Sequence, residues 1–269
     1  GSLLFDEDGR NYIVYGNDEI WITELNEDLT APKKDGLHRL LVSDHKNPEL
    51  GYEGSHIQKI NGYYYIFLVH SLRDRWMRTE ACFYSDSLEG EFTGGDVLCD
   101  DRGYCGQGVA QGGIVDTPDG KWYAMLFQDS GAVGRIPILL PVTWKDHFPV
   151  FGQNGHVPEE IEVHSTRPGY IYQPLVGSDD FCNGLLPRWQ FNHDPDPRYY
   201  HLDALQGTYT ITTREVCTEL TQAVNTLTQR MSYPSCAAEV TVDASALKEG
   251  DVAGLCALQG CYAAVGITK

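Results

Sequence analysis

The chain has 269 residues, with 20 Lys+Arg against 38 Asp+Glu and a net charge of −18. At roughly 150 residues per domain, this length suggests about two domains. Such acidity excludes a duplex or RNA partner, which needs a Lys/Arg surface, and an anionic membrane surface; a neutral ligand is not penalised. Hydrophobic residues make up 42% and charged residues 22%, the range of a folded chain. No run reaches the ~18 apolar residues of a membrane span. The 28 Gly and 16 Tyr point to many turns and aromatic-rich short strands.

Three segments repeat in chain order. The first runs from Ser2-Leu3-Leu4-Phe5 through Asp8-Gly9 to Tyr12-Ile13-Val14-Tyr15. The second runs from Ser55-His56-Ile57 through Asn61-Gly62 to Tyr65-Ile66-Phe67, and the third from Gly113-Ile114-Val115 through Asp119-Gly120 to Tyr123-Ala124-Met125-Leu126. Asx-Gly between apolar runs is a hairpin signal and predicts positive φ at both turn residues. Asp6 and Asp8 fall in the first turn and are expected to face solvent. The Asx-Gly pairs are separated by 53 and 58 positions, close to the spacing of β-propeller blades. Three repeats do not close a ring, so the expectation is an all-β chain whose residues 1–157 are a partial β-propeller with further blades upstream.

Equivalent positions on innermost strands face one central pocket. Counting eight residues back from each Asx reaches Glu53 and Gln111, and position 0 in the first repeat. A carboxylate at the mouth of an inner strand is costly to bury without a role, although a solvated loop Glu is the plainer reading. Trp76 and Arg78 follow the second hairpin on a loop expected to reach the channel mouth. Trp76 offers an aromatic face for a ligand ring, or it packs in the core.

Residues 158–178 read as a linker, since Val157 to Ser178 holds three Pro, two Gly and no hairpin signal. Residues 179–269 carry strand-like runs at Tyr209–Thr212, Ala238–Val242 and Ala253–Leu258 without the blade repeat, which fits an incomplete β-sandwich. Both parts are acidic, at −13 for residues 1–160 and −5 for 161–269. The eight cysteines form no Cys-x-x-Cys pair, and no His spacing completes a zinc site. They read as scattered thiols, with no metal or cofactor expected and a reducing cytoplasm as the expected compartment. The run Gly106-x-Gly108-x3-Gly112 precedes a strand rather than a helix, so it is not a phosphate loop. Neither Gly-x-Ser-x-Gly nor His-Glu-x-x-His is present.

The run Glu53-Gly54-Ser55-His56-Ile57, followed by Asn61-Gly62-Tyr63-Tyr64-Tyr65, resembles glycoside hydrolase family 43. Gly1 to Gly9 resembles that family's Asp-x-Ser-Leu-Phe-x-Asp-x-Gly segment with its leading Asp just before Gly1. Gly112-Gly113-Ile114-Val115 through Trp122-Tyr123 to Gly134-Arg135 resembles a further family blade. Asp179-Asp180-Phe181, Trp189 to Asp196 and Asn225 to Arg230 resemble the concanavalin-like sandwich appended to many of its β-xylosidases.

The resemblance implies a five-bladed propeller and an inverting glycosidase with two working carboxylates. Glu53 matches the general acid. An acid of this class keeps its proton near neutral pH only with burial or a neighbouring carboxylate, and the resemblance places that neighbour at position 0. The base belongs to an upstream segment, so the isolated chain is expected not to hydrolyse glycosides. Arg135 matches a channel-facing Arg that contacts sugar hydroxyls. Gln111 stands where many relatives have a His that in some holds a metal, which again argues for no metal here. His56 either lines the pocket or is a structural His. The implied substrate is a neutral oligosaccharide, xylan-derived or arabinose-bearing, cleaved by an exo-acting β-xylosidase or α-L-arabinofuranosidase. An endo-arabinanase and a non-catalytic glycan-binding propeller are the alternatives.

Overall fold

The structure, a computed structural model, describes residues 1–232 and 235–269. The chain is all-β and divides into two units, residues 1–130 with 135–164, and residues 131–134 with 165–269. The first unit contains three four-stranded antiparallel sheets, each a meander in sequence order. Sheet one comprises β1 (Ser2–Phe5), β2 (Asn11–Asn17), β3 (Glu19–Leu25) and β4 (His38–Ser43). Sheet two comprises β5 (Glu53–Ile60), β6 (Tyr63–Ser71), β7 (Arg78–Ser85) and β8 (Thr93–Leu98). Sheet three comprises β9 (Ala110–Asp116), β10 (Trp122–Asp129), β11 (Arg135–Lys145) and β12 (Phe148–Phe151). These are propeller blades, and the three repeated segments are their first hairpins, β1–β2, β5–β6 and β9–β10.

The turns differ from the sequence expectation. Only Asn61-Gly62 takes positive φ at both residues, 50° and 85°, and makes a two-residue turn between Ile60 and Tyr63. At Asp8-Gly9 and Asp119-Gly120 the left-handed residue is the glycine. There the turn closes through Gly9 N–H to Asp6 and Gly120 N–H to Thr117, and the loop spans five residues. The spacing of 58 therefore contains an extra loop residue, and the eight-residue count is out of step by one. In the structure Gln111, at φ 69°, corresponds to Gly54, at φ 65°, so Glu53 corresponds to Ala110.

Two apolar cores lie between the blades. Leu4, Tyr12, Val14, Ile20 and Ile22 of the first blade meet Ile57, Tyr64, Ile66 and Leu68 of the second. Tyr65, Phe67, Cys82 and Leu98 of the second meet Ile114, Ala124, Leu126, Leu140 and Phe151 of the third. Each fully buried aliphatic side chain contributes roughly 2 kcal/mol. Both faces of β6 are covered, which explains why Tyr64 to Val69 is continuously apolar instead of alternating. Aromatic edges close the second core, with Tyr65 and Trp144 centroids 5.4 Å apart and Tyr65 Oη donating to the His147 carbonyl at 2.7 Å.

Polar bonds also join the blades. Ser55 Oγ donates to the Val14 carbonyl at 3.1 Å, and the Ile57 N–H donates to Ser2 Oγ at 3.0 Å. Asp6 is buried, contrary to the solvent-facing turn position expected for it. Its carboxylate accepts from Lys59 Nζ at 2.7 Å and from Tyr64 Oη at 2.5 Å, both on the second blade. Turn chemistry places Asp8, whereas Asp6 is claimed by a neighbouring blade.

The second unit carries no strand or helix over residues 165–178. Beyond them β13 (Gln190–Phe191) pairs with β16 (Leu227–Thr228), β14 (Tyr200–Asp203) with β15 (Thr208–Ile211), and β17 (Val252–Gln259) with β18 (Cys261–Thr268). Asp179 organises the start of this unit by accepting from the Phe181 N–H at 2.8 Å and from Trp189 Nε1 at 2.9 Å. Ala238–Val242, expected as a strand, has no ladder partner among the described residues and is largely exposed.

Burial disfavours the Asp6 carboxylate, but hydrogen bonds from Lys59 and Tyr64 outweigh it and hold its pKa below the ordinary value. A depressed carboxyl contributes stability that is present above its unfolded pKa of about 3.9 and is lost as pH falls through the folded pKa. Asp6→Asn is therefore expected to lower stability by about 2 kcal/mol at pH 7. Urea unfolding should show a reduced midpoint at pH 7 and a shrinking difference below pH 4.

Candidate active site

The inner strands β5 and β9 carry the site. In β5 the ladder to β6 pairs Glu53 with Val69 and resumes at His56 with Phe67, leaving a bulge at Gly54-Ser55. Bulges re-aim side chains, and one class of them places its first residue in the left-handed region. Glycine meets that need at position 54 without steric cost. A second bulge lies in β9 at Gln111-Gly112, opposite Met125 to Phe127 of β10. Here the left-handed residue is Gln111, where a side chain makes the conformation uncommon.

The two bulges touch. A Cβ placed on Gly54 would lie 2.6 Å from Gln111 Nε2 and 2.9 Å from its Cγ and Cδ, so the Gln111 side chain lies over the Gly54 backbone. Glu53 is half-buried, and its Oε2 accepts from Asn17 Nδ2 of the first blade at 3.2 Å. His56 is open to solvent by surface area, with its ring over Gly113. Enough protein surrounds it that desolvation weakens its protonated form and lowers its pKa.

Arg78 is not on a loop at the channel mouth. It opens β7 and is 4% exposed. Its Nη1 is 3.3 Å from Asp129 Oδ2, and its guanidinium lies 4.6 Å from the centroid of Phe127. Arg135 approaches the same two residues, with Nε donating to Asp129 Oδ1 at 3.2 Å and its guanidinium 4.5 Å from Phe127. One aromatic ring and one carboxylate thus hold both arginines. Burial disfavours the charged form of Arg78, and Asp129 opposes that.

Trp76 is 40% exposed and packs through its carbonyl and ring edge on Gly106. Among the described residues, no hydrogen bond or ring stacking joins it to this group. The glycine run serves close backbone approach: a Cβ on Gly108 would strike the Arg78 carbonyl, and one on Gly112 the Met125 carbonyl.

Glu80 escaped the sequence reading. It has no solvent exposure and lies two residues after Arg78 on β7, on the same face. Its Oε2 accepts from the Gln111 N–H at 2.6 Å. Its Oε1 is buried without a hydrogen-bond partner among the described residues. Burial pushes the Glu80 carboxyl well above the usual carboxylate range, against smaller opposing effects of the Gln111 N–H and Arg78. The available signal was Arg78 and Glu80 at alternate positions in an otherwise uncharged middle strand. Among the described residues, no group of three or more His, Cys, Asp or Glu side chains is arranged to hold a metal.

The sequence matches the family described as glycosyl hydrolases family 43 over residues 1–149, and the β-xylosidase C-terminal concanavalin A-like domain over residues 178–269. A solved structure of a bifunctional GH43-CE protein from Bacteroides eggerthii is 40% identical with a TM-score of 0.81, covering 99% of this chain and 34% of that one. A β-xylosidase of Formosa agariphila is 26% identical over 81% of this chain and 44% of its own length. Xylosidase/arabinosidase 43B of Humicola insolens is 25% identical over 95% of this chain and 51% of its own. The chain spans about half the length of the curated relatives it matches. With a family match over more than half its residues and three propeller blades bearing that match, the chain belongs to glycosyl hydrolase family 43.

Proposed function

We propose that this chain is part of an inverting, exo-acting glycoside hydrolase that releases xylose or arabinofuranose from plant-cell-wall oligosaccharides. The observation that carries the reading is the placement of Glu53 on an inner strand, at a bulge built from Gly54, where blades one, two and three all supply neighbours. Glu53 would protonate the leaving oxygen while a base roughly 6.5–9.5 Å away activates water on the opposite face of the sugar. The names of the Formosa and Humicola relatives support the choice of sugars.

Within this proposal Arg135 addresses vicinal hydroxyls with its planar fork, steadied by Asp129 and Phe127. Arg78 lies beneath as a buried positive charge, Gln111 and His56 border the acid, and Trp76 serves as an outer wall. The remaining carboxylates near the site are committed elsewhere. Asp6 is bound to Lys59 and Tyr64, Asp129 faces two arginines, and Glu80 is sealed from solvent. The base itself is assigned, as the family resemblance implies, to a segment upstream of Ser2.

The full-length gene product is expected to cleave aryl β-xylosides or aryl α-L-arabinofuranosides, and Glu53→Ala to lower kcat at least 1,000-fold on an unactivated glycoside such as xylobiose, whose leaving group needs the proton. NMR of the first-formed sugar should show inverted anomeric configuration. Undiminished turnover of the unactivated glycoside in Glu53→Ala would remove Glu53 from the role, and a retained anomer would remove the mechanism. Arg135→Ala is expected to raise KM about tenfold or more. Arg135→Lys should recover little, because a point charge does not replace a planar fork; steady-state kinetics on the same substrates checks both.

A further inference from the structure

Glu80 presents a physical problem that the reaction as proposed leaves open. A carboxyl with no exposure and, among the described residues, one oxygen unpartnered and no ion-pair partner within contact distance is expensive to keep in a blade interface. An apolar side chain of the same volume would pack there at lower cost. What the carboxyl does make is one short bond, 2.6 Å, to the main chain of Gln111. Gln111 holds a left-handed conformation, an arrangement that persists only where surroundings over-determine it. That conformation turns the Gln111 side chain onto Gly54, the residue after Glu53.

We propose that Glu80 is a positioning residue for the general acid: it pins the Gln111 main chain across the blade interface, and Gln111 in turn seats the Gly54 bulge that aims Glu53. The three heavy atoms nearest to a Cβ placed on Gly54 all belong to the Gln111 side chain, so the backbone at this residue depends on where Gln111 is held, while the next residue, Ser55, is tied to the Val14 carbonyl. The preference of the buried carboxyl for its neutral form agrees with a role as hydrogen-bond acceptor instead of counter-ion. This inference rests on the reading of Glu53 as general acid.

The test compares two leaving groups in the full-length gene product. Xylobiose expels a poor leaving group and needs the proton, whereas a dinitrophenyl β-xyloside expels a phenolate that does not. Glu80→Leu and Glu80→Met, which fill the same space without an acceptor, should lower kcat on xylobiose 10- to 100-fold. They should change kcat on the activated xyloside less than threefold, with KM little altered. Glu80→Gln, which keeps a carbonyl for the Gln111 N–H, should restore xylobiose turnover to within about threefold of wild type. Equal losses on both substrates in the Leu and Met variants would overturn the proposal, since simple destabilisation treats both alike. Glu53→Ala is the reference. If it fails to discriminate between the two leaving groups, the assignment of the acid has failed, not that of its support. A crystal structure of Glu80→Leu decides the positioning without any turnover. Gln111 is expected to leave φ near +69° and lift from Gly54; an unchanged Gln111 would overturn the proposal.

Discussion

Backbone that passes through the left-handed region at two touching points, Gly54 in β5 and Gln111 in β9, sets how the second and third blades meet near the axis. The requirement is steric. A Cβ at residue 54 would collide with the Gln111 amide, and the bulge would open. Once glycine allows the approach, Glu53 is turned toward Asn17 of the first blade, and three blades share one small polar region. Glu80 lies behind this contact, the two arginines lie beside it on Phe127 and Asp129, and His56 lies ahead of it over Gly113.

The blades reach that arrangement by ordinary means. Apolar side chains on both faces of β6 fill the two cores, and hydrogen bonds at Ser55, Ile57, Asp6 and Tyr65 lock the angular order of the blades. Charge is treated differently at the two blade interfaces. Between blades one and two, the buried Asp6 carboxylate meets a lysine and a tyrosine and is satisfied. Between blades two and three, the buried Glu80 carboxyl has one main-chain donor and a free oxygen. Stability alone accounts for the first; the second is better explained by what it holds in place.

Local chemistry made much of the fold legible. The Asx-Gly pairs, the apolar runs around them and the tyrosine three positions on marked all three blade hairpins, and Glu53 stood out because a carboxylate fell at the head of an inner strand. The same reasoning slipped by one residue at Gln111. A two-residue turn and a five-residue loop carry the same Asx-Gly letters but close different numbers of residues. It also left Asp6 in solvent and Arg78 on a loop, because neither the partner of Asp6 nor the burial of Arg78 is encoded near it in the chain. Ala238–Val242 had strand composition, but composition supplies no partner for a ladder.

The sequence by itself determined the blade repeat, the two-part organisation and the family, and it set Glu53 at the head of an inner strand, since these follow from residue patterns local in the chain. Only the tertiary structure decided that Glu80 reaches Gln111, 31 positions away, that Arg78 and Arg135 share one ring, and that Asp6 belongs to the second blade. Those facts depend on how neighbouring blades face one another. Distance along the chain carries no information about that, because the side chains that meet across a blade interface are selected by packing and desolvation rather than by local backbone preference.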